Sequence, residues 1–141
     1  MKLDRDKAGK AFGNYVAQYN AQDEKVKLKI DHTYRVAALC EQIAQSISLS
    51  SDDVDIAWFS GLLHDVGRFE QLRWFGTFND AQSIDHAMYG AEILFDQEKI
   101  WDYIDRDAIT KDELLFLRKV ISCHSAYRVP QDYTDREKQF A

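Results

Sequence analysis

Gly61-Leu62-Leu63-His64-Asp65-Val66-Gly67-Arg68 is the stretch around which the rest of the chain is read. It begins as an apolar helical segment and ends in an adjacent imidazole and carboxylate. A carboxylate inside an apolar run must be paired or bound to a metal, because burying it uncompensated costs several kcal/mol. Asp65 also falls at a helix C-terminus, where a negative charge is unfavourable unless a cation lies nearby. Gly67 reads as the helix stop, since glycine takes the left-handed conformation cheaply. Arg68 would then follow the stop, with its side chain free to leave the core.

Upstream, Ser50 and Asp53 stand in capping-box-like spacing and open this central helix at about Asp52. Val54, Ala57, Trp58, Gly61 and Asp65 share one face. Ile56, Phe59, Leu62 and Leu63 cover much of the rest, which marks a helix buried on most sides. Before it, a helix is expected over Asp6 to Asn20, with Phe12, Tyr15, Val16 and Tyr19 on one face. A second runs through His32, Val36, Leu39, Cys40, Ile43 and Ile47, read as one inward stripe.

Downstream, residues 68–82 read as a long irregular segment, and a loop of that length in a compact domain is usually functional. Its aromatics, Phe69 to Phe78, suit core packing, or stacking on a base. Ser83 is the expected cap of the next helix, on which His86, Gly90, Ile93 and Leu94 face inward. Thr110 and Glu113 form a capping box for a helix carrying Leu114, Leu117, Ile121 and His124 on one face. Thr134 and Glu137 form another, opening a helix that reads as cut short at Ala141.

With 141 residues and 45% apolar content the chain suits one domain, 1–141, with a proper core. Six glycines and one proline favour long helices over a turn-rich β fold. The net charge of −6 argues against general nucleic-acid binding. It leaves room for small phosphorylated ligands, which need only a local basic group. Two cysteines, Cys40 and Cys123, make no disulfide framework and point to the reduced cytoplasm. No apolar run approaches the roughly 20 residues that span a bilayer.

All four histidines, His32, His64, His86 and His124, continue or end the apolar stripe of their own helix. Imidazoles with a carboxylate suit Zn, Fe, Mn, Ni or Co. The absence of paired cysteines at finger-like spacing argues against a structural zinc site. Asp31 and Asp85 each precede a histidine. Helix N-terminal charge is their simplest role, with orientation of an imidazole as the alternative.

The order His32, then His64-Asp65, then His86, then His124 resembles the HD-domain superfamily of metal-dependent phosphohydrolases. Lys29-Ile30-Asp31-His32-Thr33-Tyr34-Arg35-Val36 and Leu62-Leu63-His64-Asp65-Val66-Gly67-Arg68 carry the resemblance. It implies an all-α, compact helical bundle of about six helices. It implies that His32, His64 and Asp65 hold a first metal, with Asp65 bridging to a second held by His86 and His124. One or two divalent ions are expected, drawn from Mn, Mg, Fe, Ni, Co and Zn. The family pattern ends in a further Asp that has no match before Ala141. Asp65 and Arg68 are the expected catalytic residues, Arg68 because arginine binds phosphate oxygens bidentately. The implied activity is hydrolysis of a nucleotide or another small phosphate ester. Two alternatives stand beside it: an HD-type di-iron oxygenase, and a non-catalytic domain that senses a nucleotide or metal.

Overall fold

The computed structural model describes residues 1–126 and 132–140. Among the described residues seven α-helical segments make up the fold, with 3-10 turns between α4 and α5 and between α5 and α6, and no strand occurs. Helix α1 is Arg5–Val16, α2 Glu24–Ser46, α3 Ser51–Leu63 and α4 Val66–Phe75. Helix α5 is His86–Ala91, continued by a π-helical turn over Glu92–Asp96. Helix α6 is Lys111–Cys123 and α7 is Asp135–Phe140. The expected all-α bundle is the observed one.

Helix α3 is central, and every residue from Phe59 to Leu63 is buried. Ser50 caps it by accepting from the Asp53 N–H. Phe12, Phe59, Leu62, Leu63, Phe69, Leu94, Leu117 and Ile121 form the core around it. Aromatic edges lock α1 to α4, with the Phe69 ring 5.9 Å from that of Tyr15 and 6.2 Å from that of Phe12. Tyr15 also donates from its hydroxyl to the Val66 carbonyl at 2.7 Å, tying α1 to the residue after Asp65.

The inward stripe expected on α2 is corrected. Leu39, Ile43 and Ile47 are exposed, whereas Thr33, Ala37 and Ala44 are buried. The reason is close approach. At Gly61 a Cβ would come within 2.7 Å of the Ala37 Cα, so α2 and α3 meet through small residues rather than through large ones.

The irregular segment over 68–82 is also corrected. Most of it is α4, with Phe69 and Leu72 packed on the core, and a single 3-10 turn follows at Asp80–Gln82. Gly67 does not stop a helix; it lies in the first turn of α4. The glycine that does is Gly76, left-handed at φ 66°, whose N–H bonds the Leu72 carbonyl.

Ser83 does not cap α5. Asp85 does, accepting from the N–H groups of Ala87 and Met88. The capping box at Thr110 is present in both directions. So is that at Thr134, where the Thr134 hydroxyl and the Glu137 carboxylate each accept a backbone N–H. Helix α7 is held by ion pairs from Arg136 to Asp53 and from Lys119 to Glu137, and by Phe140 against Phe116.

Candidate metal centre

Five side chains meet at one point, four of them from helix ends. His32 comes from the middle of α2. His64 is the C-cap of α3, and Asp65 lies in the tight junction between α3 and α4. His86 opens α5 and His124 is the C-cap of α6. Two helices, α3 and α6, therefore end at the centre and two, α4 and α5, begin there.

Asp65 is 4% exposed and stands in the middle. Its Oδ2 lies 3.4 Å from His32 Nε2 and 3.3 Å from His64 Nε2. Its Oδ1 lies 3.2 Å from His86 Nε2 and 3.5 Å from His124 Nε2. One carboxylate thus serves two sets, His32–His64–Asp65 and Asp65–His86–His124. Burial opposes ionisation of Asp65. Protonated at Nε2, His124, His64 and His86 would hydrogen-bond to it, outweigh burial and hold the carboxyl far below the usual carboxylate range.

The backbone settles the tautomers. His64 Nδ1 is 2.6 Å from the Gly61 carbonyl and His124 Nδ1 is 2.7 Å from the Ile121 carbonyl. A carbonyl only accepts, so each Nδ1 carries the proton and donates it. His86 Nδ1 donates likewise to Asp80 Oδ2 at 2.7 Å. In the neutral rings Nε2 is then a bare lone pair. The lone pairs of His64, His86 and His124 face the Asp65 oxygens, with the Nε2 atoms of His86 and His124 3.1 Å apart and His64 Nε2 3.4 Å from His32 Nε2.

Acceptor facing acceptor at such distances is repulsive unless a cation lies between. Metal bonds of about 2.0–2.2 Å at near-tetrahedral or octahedral angles place ligand atoms about 3.0–3.5 Å apart, which is the spacing found. The donor set therefore fits a divalent ion in each triad. Burial, and then the charge of Lys29, lowers the pKa of His32 and so favours its neutral, ligating form. Its side chain is the most exposed of the four, at 38%, so the centre opens to solvent on the His32 side.

Asp80 is the functional residue missed in the sequence. Besides holding His86, its carboxylate accepts from Arg68 at 2.8 Å and from Gln71 at 2.9 Å. In a turn-like Asn79-Asp80 pair, nothing in spacing distinguishes an Asp that folds back onto a histidine from one that merely turns the chain. Of the two Asp residues expected next to histidines, Asp85 is a helix cap and Asp31 is exposed. Outer partners of this kind tune a metal ligand strongly. Asp80→Asn should weaken Mn binding at the His86–His124 triad about tenfold, read by titration, with the helical circular dichroism unchanged. Unaltered Mn affinity would remove Asp80 from the site.

Arg68 lies next to the centre but does not leave the core, because Gly67 continues the helix that carries it. Its side chain is 17% exposed. Its guanidinium donates to Asp80, to Gln71 Oε1 at 2.9 Å and to the Phe78 carbonyl at 2.5 Å. Its buried Nε faces Asp65 Oδ1 at 3.9 Å without a hydrogen bond. Arg68→Ala would leave the Phe78 carbonyl and part of Asp80 without a donor. A loss of about 2 kcal/mol is expected, seen as a lower urea midpoint. Unchanged stability with impaired turnover would return Arg68 to a role on substrate.

The HD domain family model matches residues 30–135, about three quarters of the chain, and takes in all five converging residues. The chain belongs to the HD domain family. No curated protein and no solved structure matches it. Members of the family are generally metal-dependent hydrolases, and the two triads give this HD domain a site that can hold divalent metal. Among the described residues no helix is long and apolar enough to cross a membrane.

Proposed function

We propose that this HD domain hydrolyses a phosphate ester, either of a nucleotide or of another small phosphorylated metabolite, in the cytoplasm. The observation that carries the reading is the convergence of four Nε2 atoms on the two oxygens of one buried carboxylate. Divalent ions held there would make bound water acidic enough to act near neutral pH and would polarise a phosphoryl oxygen.

The chain's own residues supply order. Asp65 fixes the separation of the two triads because both use its carboxylate. The Gly61 and Ile121 carbonyls and Asp80 hold three imidazoles in the tautomer that presents Nε2 inward. The reaction consumes one water and yields an alcohol and phosphate, and nothing in it requires a covalent adduct with the protein. Asp65 at the bottom and His32 at the rim leave the open side for the ester. The net charge of −6 keeps extended nucleic acid away and suits a small substrate.

The test is elemental analysis of protein purified without added metal, followed by a screen of phosphorylated compounds with Mn, Mg, Ni and Co. Metal at one or two equivalents with release of phosphate supports the proposal. An iron pair with a coupled spectroscopic signature and no phosphatase activity would favour the oxygenase. Tight nucleotide binding without turnover would favour a sensor.

A further inference from the structure

Lys29 stands one turn before His32 on α2 and shares its face. Its ammonium donates to Asp65 Oδ2 at 3.0 Å, the oxygen that His32 and His64 also face. The side chain is 19% exposed, so the charge sits inside the mouth of the site and not on the general surface. The Phe78 ring backs it, 5.2 Å from the nitrogen. The same ring lies 5.7 Å from the Arg68 guanidinium, whose partners are Asp80, Gln71 and the Phe78 carbonyl. Of the two cations at the centre, Arg68 is tethered through its Nη1 to three protein acceptors. Lys29 has one partner, Asp65, and that partner is the residue both triads need.

An ammonium and a divalent ion cannot share Asp65 Oδ2 comfortably, because like charges at contact distance repel. Once a cation lies among His32, His64 and Asp65, Lys29 loses its reason to stay on the carboxylate. Its four-carbon stem can carry the charge a few ångströms along the open, His32 side. What favours it there is an anion beside the metal triad. We propose that Lys29 is the side chain that receives the non-bridging phosphoryl oxygens of the substrate, and that it rests on Asp65 until a metal displaces it. This rests on the phosphohydrolase reading above. It assigns to Lys29 the phosphate contact that the sequence pattern suggested for Arg68.

The experiment uses Lys29→Met, which keeps the stem and removes the charge, and Lys29→Arg, which keeps the charge. Each is compared with the parent for Mn affinity, for binding of inorganic phosphate to the Mn-loaded protein, and for kcat and KM on the best ester from the screen. Lys29→Met should bind Mn as tightly as the parent or more tightly. It should bind phosphate about ten- to a hundredfold more weakly, the worth of one charged hydrogen bond, and Lys29→Arg should recover part of that. Loss of Mn binding in Lys29→Met would overturn the proposal by making Lys29 a support for the metal ligands. Unchanged phosphate affinity would overturn it too. Phosphate binding that depends on Lys29 in a protein that hydrolyses no ester would uphold the contact and sink the hydrolase reading. A parent that binds no phosphate with Mn in place would sink both.

Discussion

Gly67→Ala is expected to lower the melting temperature by about 10 °C and to empty one half of the metal centre. A Cβ at Gly67 would lie 2.3 Å from the His86 carbonyl oxygen and 2.8 Å from the Gly90 nitrogen. Both are backbone atoms of α5, so no side chain can rotate away to make room. The helices α4 and α5 cross here glycine over glycine: a Cβ on Gly90 would in turn meet the Gly67 nitrogen at 3.2 Å. The only relief is to push α5 off α4. Overpacking commonly costs about 1–3 kcal/mol, and a clash with two backbone atoms belongs at or above the top of that range. At roughly 2–8 °C per kcal/mol, depending on domain size, the expected fall in melting temperature follows. The functional consequence is local. His86 is the first residue of α5, and its Nε2 stands 3.2 Å from Asp65 Oδ1. Moving α5 withdraws that ligand, while His32 and His64 on α2 and α3 stay in place. Mn titration should therefore show the loss of the His86–His124 site before the other. A melting temperature within about 2 °C of the parent, where ordinary surface changes fall, would show that α5 yields easily.

The same glycine explains where the sequence was readable and where it was not. The convergence was legible at His64, Asp65, His86 and His124, which continue or end apolar stripes, because helical periodicity survives in a single sequence. Capping boxes at Thr110 and Thr134 were legible because they are local hydrogen bonds between residues three apart. Gly67 was misread because a glycine that ends a helix and one that lets two helices touch are the same letter. That error removed α4, on which Arg68 is held by Asp80, Gln71 and the Phe78 carbonyl. The stripe on α2 failed for a related reason. Small residues such as Ala37 and Gly61 mark the closest contact, yet they score weakly as apolar. Asp80 was out of reach altogether, because its contact with His86 depends on how the turn after Gly76 folds back.

Asp65→Asn should abolish metal binding at both triads and reduce turnover roughly a thousandfold or more, as loss of several kcal/mol of transition-state stabilisation implies. The substitution keeps the shape of the side chain and removes its charge. No other residue contributes to both sets of ligands: His32 and His64 meet Oδ2, while His86 and His124 meet Oδ1. In the parent, Mn at a hundred times its dissociation constant adds about 2.7 kcal/mol to stability, so its melting temperature should climb with added Mn. That of Asp65→Asn should stay flat at the same concentrations. The helical circular dichroism should match, because Asp65 accepts no capping hydrogen bond at the start of α4. The rival account makes Asp65 the anchor of Lys29 and of protonated imidazoles, with no metal involved. On that account, loss of the charge would weaken the metal-free protein, and neither parent nor variant would respond to Mn. The slope of melting temperature against Mn concentration separates the two, and an Asp65→Asn protein that still gains stability from Mn would refute the shared-carboxylate centre.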